Sequence, residues 1–260
     1  MPLPPDIGLA ATAWFDQPLT VALARIEPVA GLAEIYSDYN HSLVEAHNRR
    51  AAAESGLRLP VHGPWEGADV GHPHEAARQA ALAVHSRHLE AATEVGAALY
   101  VLHPDYSLAP IVRSDGVRIA LQRSIVELGE LQDAFGVPVA LENMPGSDHT
   151  HFARPGDLDL GELGLALDTG HAASCGALAG FLREPQARLC HVHLHDNAGP
   201  VAGEIGDDAH LALGLGIVDA GAVLAAARAA GANTIIEVLT PEGVSASLEF
   251  LEREGLVPAI

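Results

Sequence analysis

The sequence predicts an α/β protein with a single (β/α)8 barrel, the TIM-barrel architecture, over residues 1–260. Three observations support this fold class. Short apolar β-like runs alternate with alanine-rich helical stretches along the chain, no low-complexity linker divides it, and 260 residues is an ordinary length for one such barrel. An open doubly wound sheet would more often show fewer strands and a glycine-rich first turn, whereas the first predicted strand leads into AATAW.

Eight apolar runs have the length and composition of strands. They are Ile7–Ala10, Leu32–Tyr36, Leu59–His62, Leu99–His103, Val137–Glu142, Leu165–Asp168, Leu189–His193 and Thr234–Val238. The helical segments between them include Leu43–Ser55, Glu75–Val95, Val117–Phe135, Ala220–Ala230 and Ser245–Glu252. Glycines follow four of these segments, where a left-handed helix cap is expected: Gly56, Gly96, Gly136 and Gly231.

Composition restricts the partners. The formal charge is −20, with 34 acidic residues against 14 basic ones, all of them arginine. Because basic residues supply most of the affinity for a phosphate backbone, this charge disfavours nucleic acid and favours a small-molecule partner. No apolar run is long enough to cross a bilayer, and the start MPLPPDIGLA lacks the features of a signal peptide, so a cytoplasmic protein is expected.

Metal-type side chains fall at the C-terminal ends of six predicted strands. They are His62, His103, Glu142, Asp168, His193 and Glu237. The C-terminal ends of barrel strands converge on one face, so these side chains are expected to lie together. Alternation along the seventh strand supports this placement, because His193 shares its side with His191 while Val192 and Leu194 point towards the helices.

Three further candidates lie in the loops beyond the strands: His171, Asp208 and His210. Mixed imidazole and carboxylate ligands suit zinc, manganese or iron better than calcium or magnesium, which favour oxygen alone. At about four protein ligands per ion, and with bridging carboxylates, the full set predicts one to three divalent ions.

Six other histidines are assigned to solvent or to helix surfaces. They are His72, His74, His85, His88, His149 and His151. Two of them, His149 and His151, follow the fifth strand closely enough to belong to a lid over the site.

The segments LENMPG, LDTGHA, HVHLHDN and IIEV, together with the D-x-H-x-x-LGxG pattern of Asp208 to Gly216, resemble the xylose-isomerase-like TIM barrel superfamily. That superfamily includes class II apurinic endonucleases and sugar or sugar-phosphate isomerases and epimerases. The resemblance implies that Glu142, Asp168, His193 and Glu237 are the metal ligands shared by the epimerases. It implies that His62, His103, His171, Asp208 and His210 are the additional ligands of the trinuclear zinc site of the endonucleases. A homo-oligomer is expected from the family alone.

Two chemistries follow from these residues. The first is metal-dependent isomerisation or epimerisation of a small sugar, sugar phosphate, polyol or keto compound, in which Glu142 and Glu237 exchange protons with the substrate. The alternative is a trinuclear zinc phosphodiester hydrolase. The charge favours the isomerase, although no arginine lies between His193 and Gly216, where the epimerases typically have one. A third class is a barrel that binds a ligand without turnover.

Overall fold

Eight parallel strands close into a barrel in the computed structural model, which describes residues 2–65, 67–105, 115–146, 150–183, 188–200 and 207–259. The strands are β1 (Ile7–Ala10), β2 (Ala33–Tyr36), β3 (Pro60–His62), β4 (Leu99–Leu102), β5 (Val139–Glu142), β6 (Gly164–Asp168), β7 (Leu189–Leu194) and β8 (Asn233–Ile236). Each strand pairs with the next, and β8 closes on β1 through the pairs Ile7–Thr234 and Leu9–Ile236. The predicted (β/α)8 barrel is therefore confirmed.

Helices surround the barrel. They are α1 (Leu19–Ile26), α2 (Ala46–Glu54), α3 (Glu75–Glu94), α4 (Asp115–Phe135), α5 (Thr169–Ser174), α6 (Leu178–Arg183), α7 (Ala220–Ala230) and α8 (Pro241–Arg253). The four glycines predicted as caps all have positive φ, between 67° and 71°. Helix α8 begins four residues before the predicted Ser245, because the Thr240 hydroxyl caps it by accepting from Gly243 N and Pro241 fits its first position. The short helices α1, α5 and α6 are not among the segments named from the sequence, which were examples of the helices expected between strands.

The two faces of the strands have different partners. Outward side chains pack with the helices in one large apolar core. Inward side chains are apolar near the base of the barrel and polar towards its C-terminal end. Near the base of the barrel, Leu99, Val101, Ala140 and Ala166 form a small separate apolar cluster. Further along the same inward rows of β5 and β6 come Glu142 and Asp168, so the polar end of the lumen is the C-terminal end. Within the described residues, no helix combines the length and apolar character needed to span a membrane.

Two histidines of α3 correct the prediction that they lie on a helix surface. His85 and His88 are buried against the barrel. His85 is within hydrogen-bonding distance of the Tyr100 hydroxyl and the Ala68 carbonyl, both at 2.9 Å, and His88 Nδ1 lies 2.9 Å from Ser37 Oγ. Burial lowers the pKa of each imidazole to about 4. Of the other histidines in that assignment, His149 lies outside the described residues.

Candidate metal centre

The structure brings all nine predicted site residues to the C-terminal face of the barrel. Four of them are in strands: His62, Glu142, Asp168 and His193. Two follow a strand directly, because β4 ends just before His103 and β8 just before Glu237. The remaining three lie beyond the strands: His171 in α5, and Asp208 and His210 in the loop after β7. These nine side chains fall into three groups connected through Glu142.

The first group consists of His62, His103 and Glu142. One carboxylate oxygen, Glu142 Oε2, lies 3.0 Å from His62 Nε2 and 3.3 Å from His103 Nε2. The ring of Tyr36 stacks on His62 with 4.5 Å between the ring centroids, which fixes the plane of that imidazole. Both imidazoles therefore present Nε2 to the same oxygen.

The second group consists of Glu142, Asp168, His193 and Glu237, and it surrounds one ring nitrogen. His193 Nδ1 lies 3.3 Å from Glu142 Oε1, 3.2 Å from Glu237 Oε2 and 3.9 Å from Asp168 Oδ2. No described residue makes a hydrogen bond of acceptable geometry with this nitrogen, although it is buried. A buried imidazole that faces three carboxylates without a hydrogen bond is well suited to bind a cation together with them.

The third group consists of His171, Asp208 and His210. Asp208 lies between the two imidazoles, with Oδ2 at 3.2 Å from His171 Nε2 and Oδ1 at 3.4 Å from His210 Nε2. This group is more open than the others, since the Asp208 side chain is 37% exposed. It contacts the second group through His171, whose Nδ1 is 3.4 Å from Glu142 Oε1.

The hydrogen bonds of Nδ1 in three of the imidazoles show whether the other nitrogen, Nε2, is oriented to bind a metal ion. His62 Nδ1 lies 2.7 Å from the Gly63 carbonyl, His171 Nδ1 lies 2.8 Å from the Asn143 carbonyl, and His210 Nδ1 lies 3.3 Å from the Glu237 carbonyl. A carbonyl only accepts, so each Nδ1 carries a proton, and Nε2 is the nitrogen that remains for a metal ion. A metal-binding histidine has this arrangement, because the outer hydrogen bond fixes the tautomer and orients the ring. The donor set therefore fits divalent ions with affinity for nitrogen.

The electrostatics of the site favour a cation. Burial raises the pKa of Glu142, but His193 and His103 outweigh burial and hold it well below its usual range. Burial lowers the pKa of His210, but Asp208 and Glu237 raise it to about 9. Without metal Glu142 is therefore ionised and His210 carries an additional proton, and a divalent ion would displace that proton while compensating the negative charge of the carboxylates.

Two further residues, which were not predicted from the sequence, contact the nine residues from below and from one side. Glu34 in β2 is buried inside the barrel, with Oε2 at 2.9 Å from His193 Nε2 and Oε1 at 3.4 Å from His191 Nε2. His195 follows β7 and donates to both oxygens of Asp168, at 2.9 and 3.1 Å. A signal for Glu34 was present in the sequence, because it occupies an inward position of an otherwise apolar predicted strand.

A cavity of about 460 Å³ opens above the groups. His103, Glu142, His171, Asp208, His210 and Glu237 line its polar side, and Thr12, Phe15, Tyr36, Trp65 and Leu239 line the other side. Trp65 and Leu239 are 50% and 56% exposed, so large apolar surfaces face the solvent at the mouth of a polar site. His151, the candidate lid residue within the described part, lies against Asp105, with Nδ1 at 2.5 Å from Oδ2.

Comparison with known sequences identifies relatives over most of the chain. The protein MJ1614 of Methanocaldococcus jannaschii is 30% identical over 207 residues, which cover 78% of this chain and 79% of the relative. A protein of Mycobacterium leprae named "Probable endonuclease 4" is 30% identical over 212 residues, which cover 77% of this chain and 80% of the relative.

Solved structures share the fold. A D-tagatose 3-epimerase-like protein superposes with a TM-score of 0.79 at 23% identity, covering 95% of this chain and 96% of the other. The TTHB071 protein of Thermus thermophilus, from a crystal soaked with ZnCl2, superposes with a TM-score of 0.65 at 25% identity, covering 95% and 97%. The sequence profile described as "Xylose isomerase-like TIM barrel" matches residues 30–254. The chain therefore belongs to the xylose isomerase-like TIM barrel family.

Proposed function

We propose that this protein is a metal-dependent hydrolase of phosphate esters that holds more than one divalent ion at the C-terminal face of its barrel. The main support for this proposal is the position of Glu142, whose two carboxylate oxygens face different groups. Oε2 faces His62 and His103, whereas Oε1 faces His193. A carboxylate in this position is suited to bridge two ions.

The same contacts argue against Glu142 as the base of an isomerase. A general base needs a free oxygen directed at the substrate and a pKa near the working pH. Here Oε2 is already contacted by two imidazoles, and the pKa of Glu142 is held well below its usual range despite its burial. Its environment suits a metal ligand better than a proton acceptor.

The bound ions would supply an acidified water and would neutralise the charge that develops on phosphate oxygens. The chain's own residues determine where the substrate lies. His103, Asp208 and His210 line the cavity, whereas Asp168 and His193 are fully buried beneath it. The substrate therefore approaches the first and third groups from the open side, and the second group forms the floor.

Size and charge limit the substrate to small molecules. The cavity of about 460 Å³ matches a drug-sized ligand rather than a duplex. A chain with a charge of −20 also repels a polyanion over any extended contact. Trp65 and Phe15 offer aromatic surface to a sugar ring or another flat group. We therefore propose a small phosphate ester with a carbohydrate-like or cyclic body.

A second candidate is proton transfer on an unphosphorylated or phosphorylated sugar at a single ion. The second group supports this candidate, because its three carboxylates surround His193 Nδ1. Its four residues, Glu142, Asp168, His193 and Glu237, could therefore hold one ion without the first and third groups. In that case Glu237 is the better proton carrier, since its side chain is 9% exposed at the cavity.

Metal analysis of protein purified without chelator separates the two candidates. The hydrolase predicts about three ions per chain and release of nitrophenol from bis(4-nitrophenyl) phosphate or 4-nitrophenyl phosphate. The single-ion isomerase predicts about one ion per chain and interconversion of ketohexoses or their phosphates, followed by chromatography.

The His103→Ala variant sharpens the test. It removes one ligand of the first group only, so the hydrolase predicts the loss of one ion and of phosphatase activity. His74→Ala, which alters an exposed histidine at the start of α3, is the matched control and is expected to keep both. A wild-type protein with one ion, whose metal content is unchanged in His103→Ala, would contradict the proposal.

A further inference from the structure

The loop after β7 carries two ligands of the third group without support from a strand or helix. Asp208 and His210 lie between β7 and α7, and no helix or strand contains them. His210 has a φ of +41°, a left-handed conformation that is unusual for a residue with a side chain. Such a backbone persists only where its surroundings hold it in place. The residues that do so follow β7 directly.

The carboxylate of Asp196 holds the part of the loop that follows the two ligands in the chain. Oδ1 accepts from Asn197 N and Val218 N, both at 2.9 Å. Oδ2 accepts from Gly214 N at 2.9 Å and Gly216 N at 2.8 Å. The side chain is buried, with 1% of the residue exposed, and it makes none of the ion-pair contacts that join the three groups. Its four acceptor contacts are all to backbone N–H groups.

The backbone of Asp196 and the side chain of Asn197 hold the residues immediately before and after the two ligands. Asp196 pairs with Leu211 in an antiparallel bridge, with N–H to carbonyl distances of 2.8 and 3.0 Å, immediately after His210. Asn197 Nδ2 donates to the Asp207 carbonyl at 2.8 Å, immediately before Asp208. The segment that carries the two ligands is therefore held at both ends.

Glycine is required where the loop passes over this pair. A Cβ on Gly216 would overlap the Asn197 carbonyl oxygen and Asp196 Oδ1, so a larger residue would push the loop away. The HDN motif and the LGxG motif, which are separated in the sequence, thus form one hydrogen-bonded unit in the fold.

We propose that Asp196 and Asn197 are positioning residues that preorganise Asp208 and His210 for the third ion. This inference rests on the proposed function, because it assumes that the third group binds an ion. It assigns no contact with substrate to either residue. Their role is to fix the loop before the ion arrives, so that binding does not have to order it.

The test is a zinc titration of Asp196→Asn against wild type, with a competing chromophoric chelator to resolve the separate sites. Asparagine keeps the shape but places an N–H₂ donor against backbone donors. We expect one ion, that of the third group, to be lost about 10- to 100-fold more readily, while the other two keep their affinities. A merely structural role would lower the Tm and leave the individual affinities unchanged.

Gly216→Ala in the same titration keeps the proposal testable if Asp196→Asn does not fold. Asp219→Asn is the matched control, because Asp219 also accepts a backbone N–H, from Ala222 at the start of α7, but does not hold the ligand segment. Three unchanged affinities in both Asp196→Asn and Gly216→Ala would overturn the inference. A wild-type protein that binds only one ion would overturn the proposed function first, before any substitution is made.

Discussion

Two sets of buried histidines in this molecule have opposite surroundings. His85 and His88 lie between α3 and the barrel, where their partners are hydroxyls and a carbonyl. His193 and His171 lie at the C-terminal face, where carboxylates surround them. Burial lowers the pKa of His85 and His88 to about 4, whereas Glu237 and Asp168 outweigh burial and raise those of His193 and His171.

Burial alone therefore does not identify a metal-binding histidine. His85 is as buried as His193, yet both of its nitrogens have neutral partners and its role is to satisfy polar groups within the core. At the C-terminal face the excess of carboxylates requires compensation by protons or by cations. The partner chemistry therefore separates a structural imidazole from a candidate ligand.

Glu142→Gln is expected to give the largest effect. Removing the shared carboxylate charge weakens the first and second groups together, so metal content should fall and any activity should drop by more than the roughly 10- to 100-fold typical of an outer residue. Metal analysis and the phosphate ester assay measure both effects. The control is Glu127→Gln, which removes a carboxylate that contacts Arg78 at 2.7 Å on the helical side of the fold. Full metal retention in Glu142→Gln would refute its assignment as a ligand.

Glu34→Gln tests a residue that lies below the proposed ion sites. Glu34 Oε2 lies 2.9 Å from His193 Nε2, so its charge makes the opposite nitrogen a better donor to a cation. We expect zinc affinity to fall about tenfold, near the lower end of the range for outer residues, with the fold retained. Chelator competition gives the affinity, and circular dichroism monitors the fold. An unchanged affinity would show that this pair only fills the barrel.

The last prediction concerns His85 and the stability of the fold. In the folded chain its pKa is about 4, against an ordinary 6.5, so the unfolded chain binds the proton more readily between these values. The free energy of unfolding should therefore fall as the pH drops from 6.5 to 4, by at most about 1.4 kcal/mol per pH unit for this group. The free energy of unfolding in urea is measured at several pH values for wild type and for His85→Gln, both stripped of metal. The difference between their slopes against pH gives the contribution of His85. Equal slopes would mean that His85 is not held neutral.

The sequence was sufficient to predict the eight strands and the convergence of the candidate residues on one face of the barrel. Alternation within short apolar runs located the ends of β3, β5 and β6 at His62, Glu142 and Asp168, as the structure has them. The convergence of parallel strands in a barrel then brought these residues together. Their role as ligands remains a proposal.

Other features depend on tertiary contacts that no local pattern reveals. His85 and His88 lie on the same face of α3 as the buried Leu82 and Leu89. Because that helix has many alanines, its buried face is hard to distinguish from its exposed face in the sequence. The third group depends on a loop whose path is set by Asp196, whose partners lie up to 22 positions away. Pairings at such distances follow from the folded chain and not from sequence spacing.

Strand β8 closes the barrel between β7 and β1, and its place late in the chain bears on the order in which the candidate site is completed. Glu237 follows β8, whereas every other candidate ligand comes earlier in the chain. During synthesis the second group is therefore incomplete until the final strand has been made and docked. Metal uptake at that group should report the last step of barrel assembly, and chains truncated before β8 should not retain the ion.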